Sequence, residues 1–250
     1  MTSAINRPAR VGVITDQTGA LSFMGIANAN VAKMLIDDIN ARGGLLGRPV
    51  ELFIEDSATE DSAAESAAAR LVEEADVDVV LGGIYSSTRQ AIKGPAVDQG
   101  KKLYIYPEQY EGEERHPLIF CTGPVPAQQV DPFFPWLMQQ TGARKFYMPS
   151  ADYIWPHTMN KRVRSACSGM YRGLKLWEAA VNEAGSLDQA DVIGALDHAR
   201  IAQGPGGPAE MVPGQHHVRM NMYIARSEGG TFKVVKNLGH IDPKEGEVGL

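Results

Sequence analysis

With 250 residues, 44% of them hydrophobic, the chain can bury a substantial core as one large domain or two small ones. A formal charge of −6 argues against a nucleic-acid partner, because no stretch supplies the basic face that phosphate neutralisation needs. No run approaches the ~20 apolar residues that cross a bilayer, and the only cysteines, Cys121 and Cys167, lie far apart in unlike contexts that give no disulfide framework. The longest basic cluster, Lys161 to Arg164, reads as a solvated helix face, and Cys121 inside LIFCTG reads as a small buried hydrophobe. The first ten residues lack the apolar middle of a secretion signal, so the chain as written is expected to be cytoplasmic, or periplasmic if a signal has been removed.

The first half alternates short apolar runs with longer segments of helical period, which predicts parallel strands joined by crossover helices. Val11 to Thr15 is the first strand. A polar turn, DQTGALSF, leads into a helix whose buried face is expected to hold Ala27, Val31, Met34, Leu35 and Ile39. Gly43 and Gly44 can take the left-handed cap conformation that ends it, and Pro49 forbids continuation. Val50 to Asp56 is the second strand, Asp61 to Glu74 an alanine-rich helix, and Asp78 to Ile84 the third strand. YSSTRQAIKG turns into a short helix. KKLYIY and Leu118 to Gly123 give the fourth and fifth strands. A helix over about Ala127 to Gln140 precedes a strand in KFYMPS and a helix opened by DYIWPHTMNKRVR. Two helices follow, Ser168 to Ala184 and the one in GSLDQADVIGALDHA, and the tail alternates like an antiparallel hairpin around Gly229 and Gly230.

In an open parallel sheet, ligands bind beyond the carboxyl ends of the strands. That rule selects DQTG, YSSTR, YPEQYEG and SADYIWP. YSSTR begins a helix, so free backbone N–H groups face the crevice with the hydroxyls of Ser86, Ser87 and Thr88 beside them; plain capping by one of the three is the competing reading. YPEQYEG is either a packed tyrosine corner or an aromatic wall for a small polar solute, with Tyr106 facing the solute and Tyr110 bracing the loop. Catalytic signatures are weak: there is no GxSxG elbow, no GxxxxGK[ST] loop and no HExxH. GPGGPAE reads as a turn. His216 and His217 are adjacent and point to opposite faces of a strand, a poor arrangement for one metal, so no metal or cofactor is expected.

The succession VGVITDQTGALSFMG, INARGGLLGRPVELFIEDSATED, GGIYSSTRQA, YPEQYEG, TGPVPAQQ and SADYIWPHTMNK resembles the type I periplasmic binding proteins of the Leu/Ile/Val-binding-like kind. It is most similar to their branch for urea and short aliphatic amides, which includes transporter receptors and cytoplasmic amide sensors. The resemblance implies an α/β fold: a doubly wound, mostly parallel sheet flanked by helices. It also implies a non-enzymatic function, binding of urea or a short amide, with an ABC-transporter permease or a regulatory protein as partner. The ligand-binding residues implied are Tyr85 as an aromatic wall, Ser87 and Thr88 from the third loop, Tyr106 and Glu108 from the fourth, and Tyr153 and Trp155 from the other lobe.

One departure from the family is large. Between KRVR and SACSGMY, on the order of 100 residues of a second lobe are missing. The first lobe is therefore expected over 1–123 and 168–203, with 124–167 and 204–250 as crossover segments and a remnant of the second lobe. A one-lobe form, a stretch missing from the sequence as written, and a remnant without binding activity all fit. A shortened lobe would expose apolar surface and invite a homodimer. The rival from another class is a small amide hydrolase with Ser87 as nucleophile and Asp152 or a histidine as base.

Overall fold

The computed structural model describes residues 7–142, 169–204, 206–228 and 231–245. Five strands alternate with helices: β1 (Ala9–Thr15), α1 (Ser22–Ala41), β2 (Val50–Asp56), α2 (Asp61–Glu73), β3 (Val79–Gly82) and α3 (Ser86–Lys93). A π-helical turn over Gly94–Gln99 then leads to β4 (Leu103–Tyr106), β5 (Ile119–Cys121) and α4 (Pro126–Thr141). The later part holds α5 (Gly169–Ala184), α6 (Gln189–Leu196), β6 (Arg200–Ile201), β7 (Ala209–Val212), β8 (His217–Glu228) and β9 (Thr231–Ile241). The expected strand in KFYMPS and the helix opened by DYIWP lie outside the described residues.

The sheet runs β2-β1-β3-β4-β5-β8-β7-β6, with β9 on β8. β1 to β5 are parallel, and β8 joins β5 in parallel through the single pair Cys121↔His217. Side chains alternate across each strand, so Leu103 and Ile105 enter the core under α1, α5 and α6, while Tyr104 and Tyr106 enter the core under α2 and α3. Helices on both faces make the sheet doubly wound, as the alternating pattern predicts.

Three expectations are corrected. The buried face of α1 is Gly25, Ala29, Ala32, Leu35, Ile36 and Ile39, whereas Met34 is 56% exposed and Ala27 points outward. A Cβ on Gly25 would stand 1.9 Å from the Asp16 carbonyl oxygen; this close approach sets the rotation of the helix. The hydroxyls of YSSTR do not cap α3: Tyr85 is the N-cap, Ser86 donates to Glu111 (2.5 Å) and Thr88 to Asp61 (3.3 Å). Finally, the segment after 204 does not stand apart as a second-lobe remnant. Met211, Val218 and Met220 share the core of β1 and β3, and β7 to β9 continue the same sheet.

Beyond Met220, β8 leaves β7 and pairs with β9 alone, so the hairpin extends as a two-stranded ribbon. Its base is clamped by Gln128, whose fully buried amide donates to the carbonyls of Val218 (2.9 Å) and Ile241 (3.0 Å) and accepts from the Val125 N–H (2.9 Å).

His217 sits beside this clamp. Its Nδ1–H donates to the Gln215 carbonyl (2.6 Å) and its Nε2 accepts from the Tyr110 hydroxyl, which fixes a neutral tautomer. Burial pulls the imidazole down to about 4, against the effect of the Gln215 carbonyl. The unfolded chain protonates it near 6.5. This stabilisation is present above about 6.5 and is lost as pH falls toward about 4. Between about pH 7 and about pH 5, urea unfolding should show wild type losing about 2 kcal/mol more than His217→Gln.

Candidate functional site

Five loops meet beyond the carboxyl ends of β1 to β5. The first two are braced by aspartates. Asp56 accepts from the N–H groups of Gln17 (2.8 Å), Thr18 (3.2 Å) and Ala58 (2.8 Å) and from the Thr18 hydroxyl (2.6 Å). Burial would raise its carboxyl, but these bonds outweigh it and hold it below the usual range. Asp16 is buried and accepts from the hydroxyls of Ser57 and Thr59. The loop after β1 is thus fixed to the loop after β2.

Glu108 follows β4 and is 5% exposed. Its carboxylate accepts from the Asn28 amide on α1 at 2.8 Å. Burial pushes the carboxyl up, opposed by the Asn28 bond; Asp16 pushes it further up and the Arg172 guanidinium on α5 pulls it down. Arg172 is 4% exposed, donates to the Thr122 carbonyl at the end of β5 (3.2 Å), and is itself lowered to about 10 by burial. Tyr85, the N-cap of α3, is half-buried, and burial and then the Asp16 charge push its phenol up. Ser87 is half-buried at the start of α3, and its hydroxyl has no hydrogen-bond partner among the described residues.

Of the residues expected at the site, Tyr85, Ser87 and Glu108 lie on the segments that follow β3 and β4 at the carboxyl ends of the strands. Thr88 is buried and held by Asp61, and Tyr153 and Trp155 lie outside the described residues. Tyr106 is a core residue. Its ring is fully buried, its hydroxyl donates to the Ile84 carbonyl (2.9 Å), and it meets Tyr104 and Tyr110 edge-on at 6.5 and 5.7 Å. The cause is strand parity: Tyr104 faces α3, so Tyr106, two residues on, does too. Arg89 lies over the rings of Tyr106 (4.9 Å) and Tyr110 (4.5 Å), donates to Glu111 (2.8 Å) and approaches Glu114 (3.6 Å). YPEQYEG is thus a packed corner around a buried arginine, and Glu108 turns away from it to the Asn28 amide on α1.

Sequence reasoning missed Asp16, Asn28 and Arg172. Asp16 lies in DQTG, a stretch that the strand-end rule selects. Asn28 and Arg172 carry no motif, and Arg172 arrives from a distant helix. Among the described residues no group of three or more His, Cys, Asp or Glu is placed to hold a metal ion. Cys121 is buried and its thiol is pushed up to about 12 by burial, as a packing residue requires.

Residues 8–168 match the family model described as periplasmic binding protein. The leucine binding protein LivK from Thermotoga maritima has a TM-score of 0.69 at 13% identity, over 92% of this chain and 99% of that one. A solute binding protein of an ABC transporter from R. palustris, in complex with 4-hydroxybenzoate, has a TM-score of 0.69 at 14% identity, over 94% of this chain and 97% of that one. The branched-chain amino acid transporter substrate binding protein LivJ from Streptococcus pneumoniae, in complex with isoleucine, is 22% identical with a TM-score of 0.50. That match covers 55% of this chain and 40% of LivJ. These likenesses show the fold. The family match takes in every strand, loop and crossover helix from β1 to α4, well over half of the 250 residues, and the chain belongs to the periplasmic binding proteins, with the type I fold.

Proposed function

We propose that this protein is a non-enzymatic solute-binding protein for urea or a short aliphatic amide, held over the ends of β1, β3 and β4 and presented to an ABC-transporter permease or a regulatory protein. The observation that carries this reading is the buried carboxylate of Glu108 on the segment after β4, oriented by Asn28, with Tyr85 and Ser87 on the neighbouring segment after β3. An amide presents two N–H donors and one acceptor. Buried without partners these would cost several kcal/mol. Glu108 accepts from the NH2 group, and the Ser87 hydroxyl, beside the first N–H groups of α3, donates to the carbonyl. The resemblance of GGIYSSTRQA and YPEQYEG to the urea and amide branch supports the same assignment.

Calorimetric titration with urea, formamide, acetamide and butyramide, beside leucine and 4-hydroxybenzoate, tests it. Saturable heat with one of the first four and no turnover is expected. Tighter binding of leucine or 4-hydroxybenzoate would move the ligand class to carboxylates, and silence throughout would mark a lobe without binding activity. Turnover abolished by Ser87→Ala would establish the hydrolase instead. Glu108→Gln preserves shape and the Asn28 bond but removes charge, so affinity should fall about tenfold, the difference between a charged and a neutral hydrogen bond.

A further inference from the structure

Arg172 lies buried at the start of α5, far along the chain from the loops that carry the family resemblance. Its position is tightly set. A Cβ on the neighbouring Gly173 would stand 3.0 Å from Ile105 Cγ2 and 3.2 Å from Thr122 Oγ1, so the start of α5 lies directly on the ends of β4 and β5. The Arg172 Nε–H donates to the Thr122 carbonyl, and the Thr122 N–H donates to the Tyr106 carbonyl (3.0 Å), two residues before Glu108. A Cβ on Gly123 would stand 1.9 Å from the Glu108 carbonyl oxygen, so the loop after β5 is pressed onto the Glu108 main chain. The guanidinium and the carboxylate are therefore carried on adjoining pieces of backbone that have no room to drift apart.

Among the described residues, four groups act on Glu108. Asn28 on α1 donates, Asp16 after β1 repels its charge, Tyr106 below is a buried phenol kept neutral by desolvation, and Arg172 on α5 attracts its charge. Two of these are ionic and they oppose each other. Without the cation, only the Asn28 bond is left to oppose burial and the Asp16 charge, both of which favour a protonated carboxyl. A protonated Glu108 offers an O–H, which suits a ligand carboxylate, whereas an ionised Glu108 accepts from N–H groups and repels a carboxylate.

We infer that Arg172 is a positioning residue that keeps Glu108 ionised, so that the crevice selects solutes presenting N–H donors over solutes presenting a carboxylate. This rests on the solute site proposed above, and the test separates the two. The side-chain carboxyl of Glu108 is followed by carbon NMR against pH in wild type, Arg172→Gln and Arg172→Lys, with no ligand present. The affinities for acetamide and acetate are then measured over the same range. In Arg172→Gln the Glu108 midpoint should move up, and Arg172→Lys should bring it back toward wild type. Binding that needs the carboxylate is lost as pH falls through the midpoint, so the acetamide affinity of Arg172→Gln should drop about tenfold per pH unit below its new midpoint while acetate gains. An unchanged midpoint in Arg172→Gln overturns the inference. If Arg172→Gln fails to fold, a wild-type midpoint above about 7 overturns it, because Glu108 would then be protonated with Arg172 in place, and a lower midpoint supports it. A shifted midpoint in a protein that binds no amide leaves the role of Arg172 standing and overturns the solute reading.

Discussion

Tyr106→Ala should cost about 3–5 kcal/mol of stability, a fall in melting temperature on the order of 10 °C for a chain of this size, and leave solute affinity nearly unchanged. The ring fills space between Tyr104, Tyr110 and Arg89, and its hydroxyl satisfies the Ile84 carbonyl just before α3 begins. Truncation leaves a cavity, strips one side from the arginine and orphans a buried carbonyl. Tyr106→Phe removes only the hydroxyl and should cost about 1 kcal/mol. Denaturant unfolding of both variants beside a solute titration is the check. A Tyr106→Ala protein that keeps its melting temperature and loses affinity would return the ring to the ligand crevice.

Arg89→Met should be of similar size, about 3–5 kcal/mol, through a different cause. Arg89 is buried, and burial alone would lower its guanidinium. The Glu111 carboxylate, bonded to it, opposes that, and the guanidinium stays above its ordinary value. Methionine fills part of the space but leaves Glu111 without its cation and Glu114 with Lys93 alone (3.1 Å). Most of the loss is thus the cost of carboxylates left behind rather than the worth of the pair. Adding Glu111→Gln to Arg89→Met should recover part of the stability, because a neutral amide tolerates the site. Equilibrium unfolding of the two single variants and the double variant closes that cycle. If Glu111→Gln adds its full cost on top of Arg89→Met, the two side chains are not coupled as the geometry requires.

Much of the fold was legible because its signals are local. Val50 to Asp56 is an apolar run of the right length, and Gly43 and Gly44 take positive φ where the helix must stop. The errors share one physical origin, direction. Periodicity puts Met34 and Leu35 within one broad helix face, yet only the contact of Gly25 with Asp16 decides which side is buried. Parity within a strand says that Tyr104 and Tyr106 share a side, but the presence of α3 above them decides that this side is core. The strand ends and YSSTR were legible as a place to look, but the charges that surround Glu108 were not. Asn28, Glu108 and Arg172 come from three segments whose meeting is a property of the packed sheet.

The pair Cys121↔His217 is the one register pair joining β5 to β8. Mechanically, the sheet is two plates sharing a short seam, where most neighbouring strands are bolted along several residues. A shear along the strands would be carried across that seam less by the ladder than by the keys set into it. These are the hydrogen bond between Tyr110 and His217, the stacking of Phe120 on His216 at 3.9 Å, and the Gln128 amide reaching into β8 and β9. The corner that anchors Glu108 therefore also registers the carboxyl-terminal plate against the amino-terminal one, and a distortion at either would be felt at the other.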